Sequence, residues 1–173
     1  MTKSKPFFIM VYGAPGAGKT YFAEQFSEKF RAPFINTTNL RRQIFKKPSF
    51  NTTEDKEMQL LSNCVLGDIL RSGVMVLLEG GIDTRQDRKR IITLANEAGY
   101  QPLLVWVQTD PKTTKSRARA AHMAAKQFDE IVNKLETPQA AEKPIVISGK
   151  HTFDTQVRVI LRQLSAQRAQ NLR

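Results

Sequence analysis

The 173-residue chain holds 27 Lys and Arg against 16 Asp and Glu, a formal charge of +11 and a pI near 10.0, so anionic partners are expected, whether nucleotides, phosphorylated metabolites or nucleic acid. The length suits one domain with a proper core, and the single cysteine, Cys64, excludes an internal disulfide and suits a reducing compartment. No apolar run approaches the roughly 20 residues of a membrane span, and the first six residues lead into an apolar run rather than a cleavable signal, so a soluble cytoplasmic protein with no membrane partner is expected.

In chain order, Phe7–Tyr12 is a continuous apolar run, the pattern of a central parallel strand buried on both faces. It leads into Gly13-Ala14-Pro15-Gly16-Ala17-Gly18-Lys19-Thr20, which satisfies Gly-x-x-x-x-Gly-Lys-[Ser/Thr]. The glycines of such a P-loop let successive amide N–H groups turn inward on a phosphate. Lys19 is placed to reach the β- and γ-phosphates, the Thr20 hydroxyl is the expected Mg²⁺ ligand, and the start of the next helix adds its partial positive charge. A nucleoside triphosphate and Mg²⁺ are therefore expected.

Phe22, Ala23, Phe26 and Phe30 predict a helix that ends near Arg31. A short strand over Pro33–Asn36 follows, and the polar stretch from Thr37 opens a short helix reaching Phe45. Thr52 or Thr53 is a plausible cap for a longer helix whose inner face is Met58, Leu61, Val65 and Ile69. Cys64, at helical spacing with Leu61, reads as a buried structural thiol. Val74–Leu78 is the next buried strand and runs directly into Glu79-Gly80-Gly81-Ile82-Asp83. Arg85–Ala98 is a helix with Ile91, Leu94 and Ala98 inward, stopped by Gly99. Leu103–Val107 is a strand, broken by Asp110-Pro111 at the head of a helical stretch over 112–136. Pro144–Ile147 is the last strand, and a closing helix runs from Asp154 to about Gln170 with Val157, Leu161 and Leu164 inward.

This alternation predicts parallel strands joined by right-handed crossovers, hence a three-layer α/β fold in one domain over 1–173. Ligands of such sheets bind beyond the carboxyl ends of the strands. The P-loop, Asn36–Arg41, Glu79–Asp83, Gln108–Asp110 and Ser148–His151 all fall there.

The P-loop in this setting resembles the small P-loop kinases of the zeta-toxin-like, chloramphenicol-phosphotransferase-like and polynucleotide-kinase-like group. That resemblance implies a five-stranded sheet of order 2-3-1-4-5 and phosphoryl transfer from Mg-ATP to a hydroxyl of a small molecule or a nucleic-acid end. In that group the second strand ends in Asp-x-x-Arg, where the carboxylate is the base and the arginine holds the acceptor. Here the matching residues are Thr38-Asn39-Leu40-Arg41. A threonine hydroxyl is no base near neutral pH. Glu79 and Asp83 are the candidate substitutes, Glu79 also being similar to the acidic residue that stands near the Mg²⁺-bound waters. Asp83 reads equally as a helix cap ahead of Arg85. Gly80-Gly81 resembles the glycine loop by which shikimate-type kinases approach their acceptor. Arg117 and Arg119, after Asp110-Pro111, resemble an arginine pair on a lid around 112–136 that closes over the transferred phosphate, with Arg117 preferred; a solvated basic face is the alternative. Gly149 and Lys150 fall where relatives cradle the adenine.

Arg41, Arg42, Lys46, Lys47 and the run Arg85–Arg90 could line a polynucleotide groove, but aromatic residues for base stacking are sparse, so a small-molecule acceptor is preferred. His122 and His151 lack metal-ligand spacing. A GTPase would need Asp-x-x-Gly after the third strand and Asn-Lys-x-Asp after a later one; Asn133-Lys134-Leu135-Glu136 is a near miss in helical sequence. A mechanical ATPase of the AAA type would need a further helical domain. An ATP-binding or ATP-hydrolysing switch that transfers no phosphate stays open, and Thr38 supports it.

Overall fold

The computed structural model describes residues 5–49 and 51–171; the leading residues 1–4 lie outside them. The elements are β1 (Phe7–Tyr12), α1 (Lys19–Phe30), β2 (Phe34–Asn36), α2 (Thr37–Ile44), α3 (Thr52–Leu70), β3 (Val76–Glu79), α4 (Arg85–Glu97), β4 (Gln101–Gln108), α5 (Pro111–Ala120), α6 (Ala125–Lys134), a 3-10 turn (Ala140–Glu142), β5 (Ile145–Ser148) and α7 (Phe153–Asn171). The strands form one parallel sheet in the order β2-β3-β1-β4-β5, as expected. β1 is central, with Val11 level with Glu79 on one side and Val105 on the other. The chain turns to opposite sides of β1 for β3 and β4, and a crevice at the strand ends follows from that reversal.

The unbroken apolar run of β1 is explained by two cores. Phe7, Ile9 and Val11 pack with Phe22 and Phe26 of α1 and with Val157, Ile160 and Leu164 of α7. Phe8, Met10 and Tyr12 face the other way, onto Leu66 and Leu70 of α3 and Ile91 and Ala95 of α4. Alternate side chains of one strand thus serve both layers.

Several helix faces differ from the sequence expectation. The deepest row of α3 is Met58, Ser62, Leu66 and Leu70, while Leu61, Val65 and Ile69 form a half-buried shoulder. Both rows are largely apolar, and the sheet surface selects the first. Cys64 lies two residues from both Ser62 and Leu66, about 200° around the helix, and is exposed rather than buried. Asn51, not Thr52 or Thr53, caps α3 by accepting from Glu54 N. In α4 the buried row is Arg88, Ile91 and Ala95, with Ala98 exposed and Leu94 half-buried. In α7 Ile160 takes the inner place expected of Leu161, which is 40% exposed. β3 begins at Val76, paired with Phe8, and Val74 stays outside the sheet.

The continuous helical stretch expected over 112–136 is two helices. His122 adopts φ 61, and the amides of Ala121, His122 and Met123 turn back onto the carbonyls of Arg117, Arg119 and Ala118. This left-handed stop ends α5, and α6 starts afresh at Ala125.

Phe26, fully buried between Phe22 and Phe30, carries the contact of α1 with the sheet. Phe26→Ala is expected to lower stability by about 3–5 kcal/mol, measured by urea denaturation. A loss under about 1 kcal/mol would mean that α1 is held by other contacts.

Candidate active site

The P-loop closes over the end of β1 and runs into α1 at Lys19. Its floor is tight: the Thr114 carbonyl of α5 comes so near Gly16 that a Cβ there would lie 2.3 Å from it. α5 is therefore packed directly on the loop. Lys19 Nζ donates to Ala14 O at 3.0 Å, within its own loop. Burial pulls the Lys19 pKa down, and the charges of Glu79 and Asp83 pull it back up. The lysine thus lies within electrostatic reach of both carboxylates.

Glu79 ends β3 and is buried. Its Oε1 accepts from Thr20 Oγ1 at 2.9 Å and its Oε2 from Asn36 Nδ2 at 3.0 Å. Burial raises its pKa, while Lys19 and the Thr20 bond oppose the rise. In the sequence Asn36 stood only at the head of the Asn36–Arg41 stretch at the strand ends, with no role of its own. Its Oδ1 also accepts from Asn39 N at 2.9 Å, capping α2, so one amide fixes both the carboxylate and the helix. The signal was present: a polar residue that can cap a helix, at the carboxyl end of a strand. Thr20 and Glu79 suit Mg²⁺, which takes few protein ligands and keeps waters and substrate phosphates around it. No cluster of three His, Cys, Asp or Glu able to hold a metal occurs among the described residues.

Beyond Glu79 the chain passes through Gly80 and Gly81, with φ 86 and 67, against Thr37 of α2. Asp83 follows. The expectation that it caps a helix is excluded: Thr84 caps α4, accepting from Asp87 N at 3.1 Å, and Asp87 returns the bond in a capping box. The Asp83 carboxyl has no hydrogen bond or ion pair among the described residues. Burial raises its pKa and Lys19 counters. Of the two carboxylates proposed from sequence, Glu79 is engaged and Asp83 is free.

On the α2 side, Thr38 is exposed. Arg41 donates to Asp55 Oδ1 at 2.5 Å and lies 3.4 Å from Glu54 Oε1, so α3 already holds its guanidinium. The basic run Arg85–Arg90 is likewise not uniformly solvated. Arg88 is fully buried, and Arg90 bonds Asn63 of α3.

The other wall is built by α5 and the loop after β5. Arg117, in the last turn of α5, donates from Nη1 to Gly149 O at 3.1 Å. Arg119 is exposed and points to no partner among the described residues. Gly149 presses on the P-loop, where a Cβ would lie 1.8 Å from Ala17 O, and Gly149 N donates to Gln108 O at 2.8 Å. Lys150 pairs with Asp110, the cap of α5; that ammonium and the Thr113 amide hold the Asp110 pKa well below the usual carboxylate range. Gly16, Gly18, Lys19, Thr20, Arg117 and Gly149 thereby line one open cleft of about 540 Å³. The structure brings together the P-loop, Glu79, Asp83, Arg117 and the Gly149 loop, and leaves Thr38 and Arg119 at the surface.

A family model described as an AAA domain matches residues 8–138. No curated protein matches the sequence. Among solved structures, a gluconokinase from Sinorhizobium meliloti 1021 is 21% identical over 98% of this chain and 97% of its own, with a TM-score of 0.69. The Mycobacterium tuberculosis APS kinase, solved with AMPPNP and APS, is 17% identical over 94% of this chain and 99% of its own, with a TM-score of 0.72. A sugar kinase from Janibacter sp. HTCC2649 is 14% identical over 94% of each chain, at 0.67. At these identities the likeness is one of fold.

Gly149→Ala places a methyl against the Ala17 carbonyl. It is expected to weaken ATP binding by ~10-fold or more and to lower stability by roughly 1–3 kcal/mol. Titration calorimetry and thermal melts read the two effects. Unchanged affinity would remove the 149–150 loop from the nucleotide site.

Proposed function

The chain belongs to the AAA domain family, and from that premise we propose that it is a Mg-ATP-dependent phosphotransferase whose acceptor is a hydroxyl group. The observation that carries this reading is the free Asp83 carboxyl, half-buried within electrostatic reach of Lys19 while Glu79 is engaged by Thr20 and Asn36. A protein that only bound nucleotide would have no use for a desolvated, unpartnered carboxylate beside the phosphate-binding lysine.

The roles follow from position. P-loop amides and the α1 N-terminus cradle the phosphates, and Lys19 exchanges its bond to Ala14 O for phosphate oxygens. Thr20 and Glu79 would hold Mg²⁺, which would supply charge neutralisation for phosphoryl transfer. Arg117, exchanging the Gly149 carbonyl for phosphate, stabilises charge on the transferred group. Asp83 accepts the proton of the attacking hydroxyl, and its raised pKa brings it nearer the range useful to a base. Gly80, whose missing Cβ lets Thr37 Oγ1 pack against the loop, and Gly81 form the acceptor-side loop beside it.

A small-molecule acceptor is favoured over a nucleic-acid end. Arg41 is spent on Glu54 and Asp55, Arg88 is buried and Arg90 is bonded to Asn63, which strips a polynucleotide groove of three cations. The fold neighbours named for gluconate, sugar and APS point the same way. The narrower likeness to the zeta-toxin, chloramphenicol-phosphotransferase and polynucleotide-kinase group rests on the positions of Arg41 and Arg117. A switch that binds ATP without transfer has one observation in its favour: the Asp-x-x-Arg position supplies only exposed Thr38 and an already paired Arg41.

The test is Asp83→Asn, which removes the charge and keeps the shape. Transfer from ATP, screened against sugars, nucleosides and oligonucleotides, is expected to fall ~10²-fold or more with ATP affinity nearly intact. The same change should stabilise the nucleotide-free protein at neutral pH. Because burial raises the Asp83 pKa, the folded chain holds that proton more tightly than the unfolded chain, so wild-type stability declines as pH rises from the ordinary aspartate range through the raised value. Thermal melts should therefore favour the variant at neutral pH and converge in acid. Full transfer by Asp83→Asn would take the base role from this residue.

A further inference from the structure

Arg88 sits in a run of cations, Arg85 to Arg90, yet it has no solvent exposure. Its Nε donates to Glu142 Oε1 at 2.6 Å and its Nη2 to Glu142 Oε2 at 3.1 Å. The remaining arm, Nη1, reaches the carbonyls of Ile82 at 3.3 Å and Asp83 at 3.2 Å. The guanidinium also lies 5.0 Å from the centroid of the Tyr12 ring, on the residue that precedes the P-loop. Glu142 is fixed in turn by Gln139 N at 2.8 Å. The Asp83 carbonyl takes a second bond, from Glu136 N at 3.0 Å, and Tyr12 Oη donates to Glu136 O at 3.0 Å. Backbone on both sides of the free carboxylate is thus tied to the strand carrying the P-loop and to the segment after α6.

A buried arginine–carboxylate pair adds little stability over an apolar pair of equal size, so stability alone does not account for this one. What distinguishes it is where the spare donors point: at the two carbonyls of the loop that ends in Asp83. We propose that Arg88, clamped by Glu142, is a positioning residue that fixes the Ile82–Asp83 backbone and so aims the Asp83 carboxyl at the ground between Lys19 and the acceptor. The inference rests on the base role given to Asp83 above. Arg88 touches no substrate and acts only through the loop. Through Glu136 and Glu142 the clamp also makes the segment following the helix pair a structural partner of the base.

The test uses the full chain and two variants. Glu142→Gln keeps the shape and breaks the charged fork; Arg88→Lys keeps the charge and cannot span Glu142 and both carbonyls. Each is expected to cut kcat for transfer about tenfold or more, with KM for ATP within about twofold, since a displaced base costs rate rather than nucleotide affinity. An assigned carboxyl NMR titration of Asp83 supplies a second readout. The charged groups acting on it are Lys19, Asp87, Asp55 and Lys134, none altered by either variant. Loop release admits water, so the Asp83 midpoint should drop toward the ordinary aspartate value. Should Arg88→Lys fail to fold, Glu142→Gln decides alone. A Glu142→Gln protein that melts lower but keeps the wild-type kcat and Asp83 midpoint overturns the clamp and leaves Arg88 a packing residue. Absence of transfer by wild type to every acceptor would sink the phosphotransferase reading, while the Asp83 midpoint in the variants still confirms or overturns the clamp.

Discussion

Lys19, Glu79 and Asp83 are ionisable groups gathered where burial opposes their charge, and much of the surrounding structure serves to keep them there. Burial lowers the pKa of the lysine and raises those of both carboxylates, and the opposite charges partly restore the ionised forms. Each group therefore depends on the others, and on a phosphate and cation that would complete the balance. The parallel sheet makes the arrangement feasible. β1 and β3 are neighbours in register, Val11 beside Glu79, so the P-loop and the glycine loop emerge side by side at the same edge.

The supports of the two carboxylates differ. Glu79 is gripped by its side chain, from Thr20 in the first turn of α1 and from Asn36 at the end of β2. Asp83 is gripped by its backbone, and its side chain is left without a partner. A carboxylate held at both oxygens suits a fixed electrostatic element, whereas one held only through its main chain keeps its lone pairs for a proton. The opposite wall repeats the device: Arg117 and the Gly149 loop are joined by one hydrogen bond to a carbonyl, which a phosphate oxygen would replace.

The local parts of this arrangement were legible in the sequence. The P-loop residues act within a stretch of eight, and strand alternation with two helical periods gave the sheet order through the kinase-like resemblance. Glu79 and Asp83 could be found because a strand end in an α/β sheet has a known destination. The misses have another character. The partner of Arg88 lies 54 residues away, so that arginine read as solvated or groove-lining, and the acceptor-side place given to Arg41 did not reveal its contacts with α3. Asn36 carries two bonds that no spacing rule encodes. The stop at His122 uses a left-handed residue with no glycine or proline to announce it. Cys64 was misplaced because α3 offers two adjacent apolar rows and sequence alone does not choose between them.

The central claim is that Asp83 is the group whose deprotonation permits transfer. A single-turnover pH–rate profile, taken with saturating Mg-ATP and a competent acceptor, tests it most directly. The account predicts a rate that rises with pH on an acid limb set above the ordinary aspartate range, with that limb displaced or lost in Asp83→Asn. An acid limb left unchanged by Asp83→Asn would place the controlling carboxyl elsewhere and contradict the account.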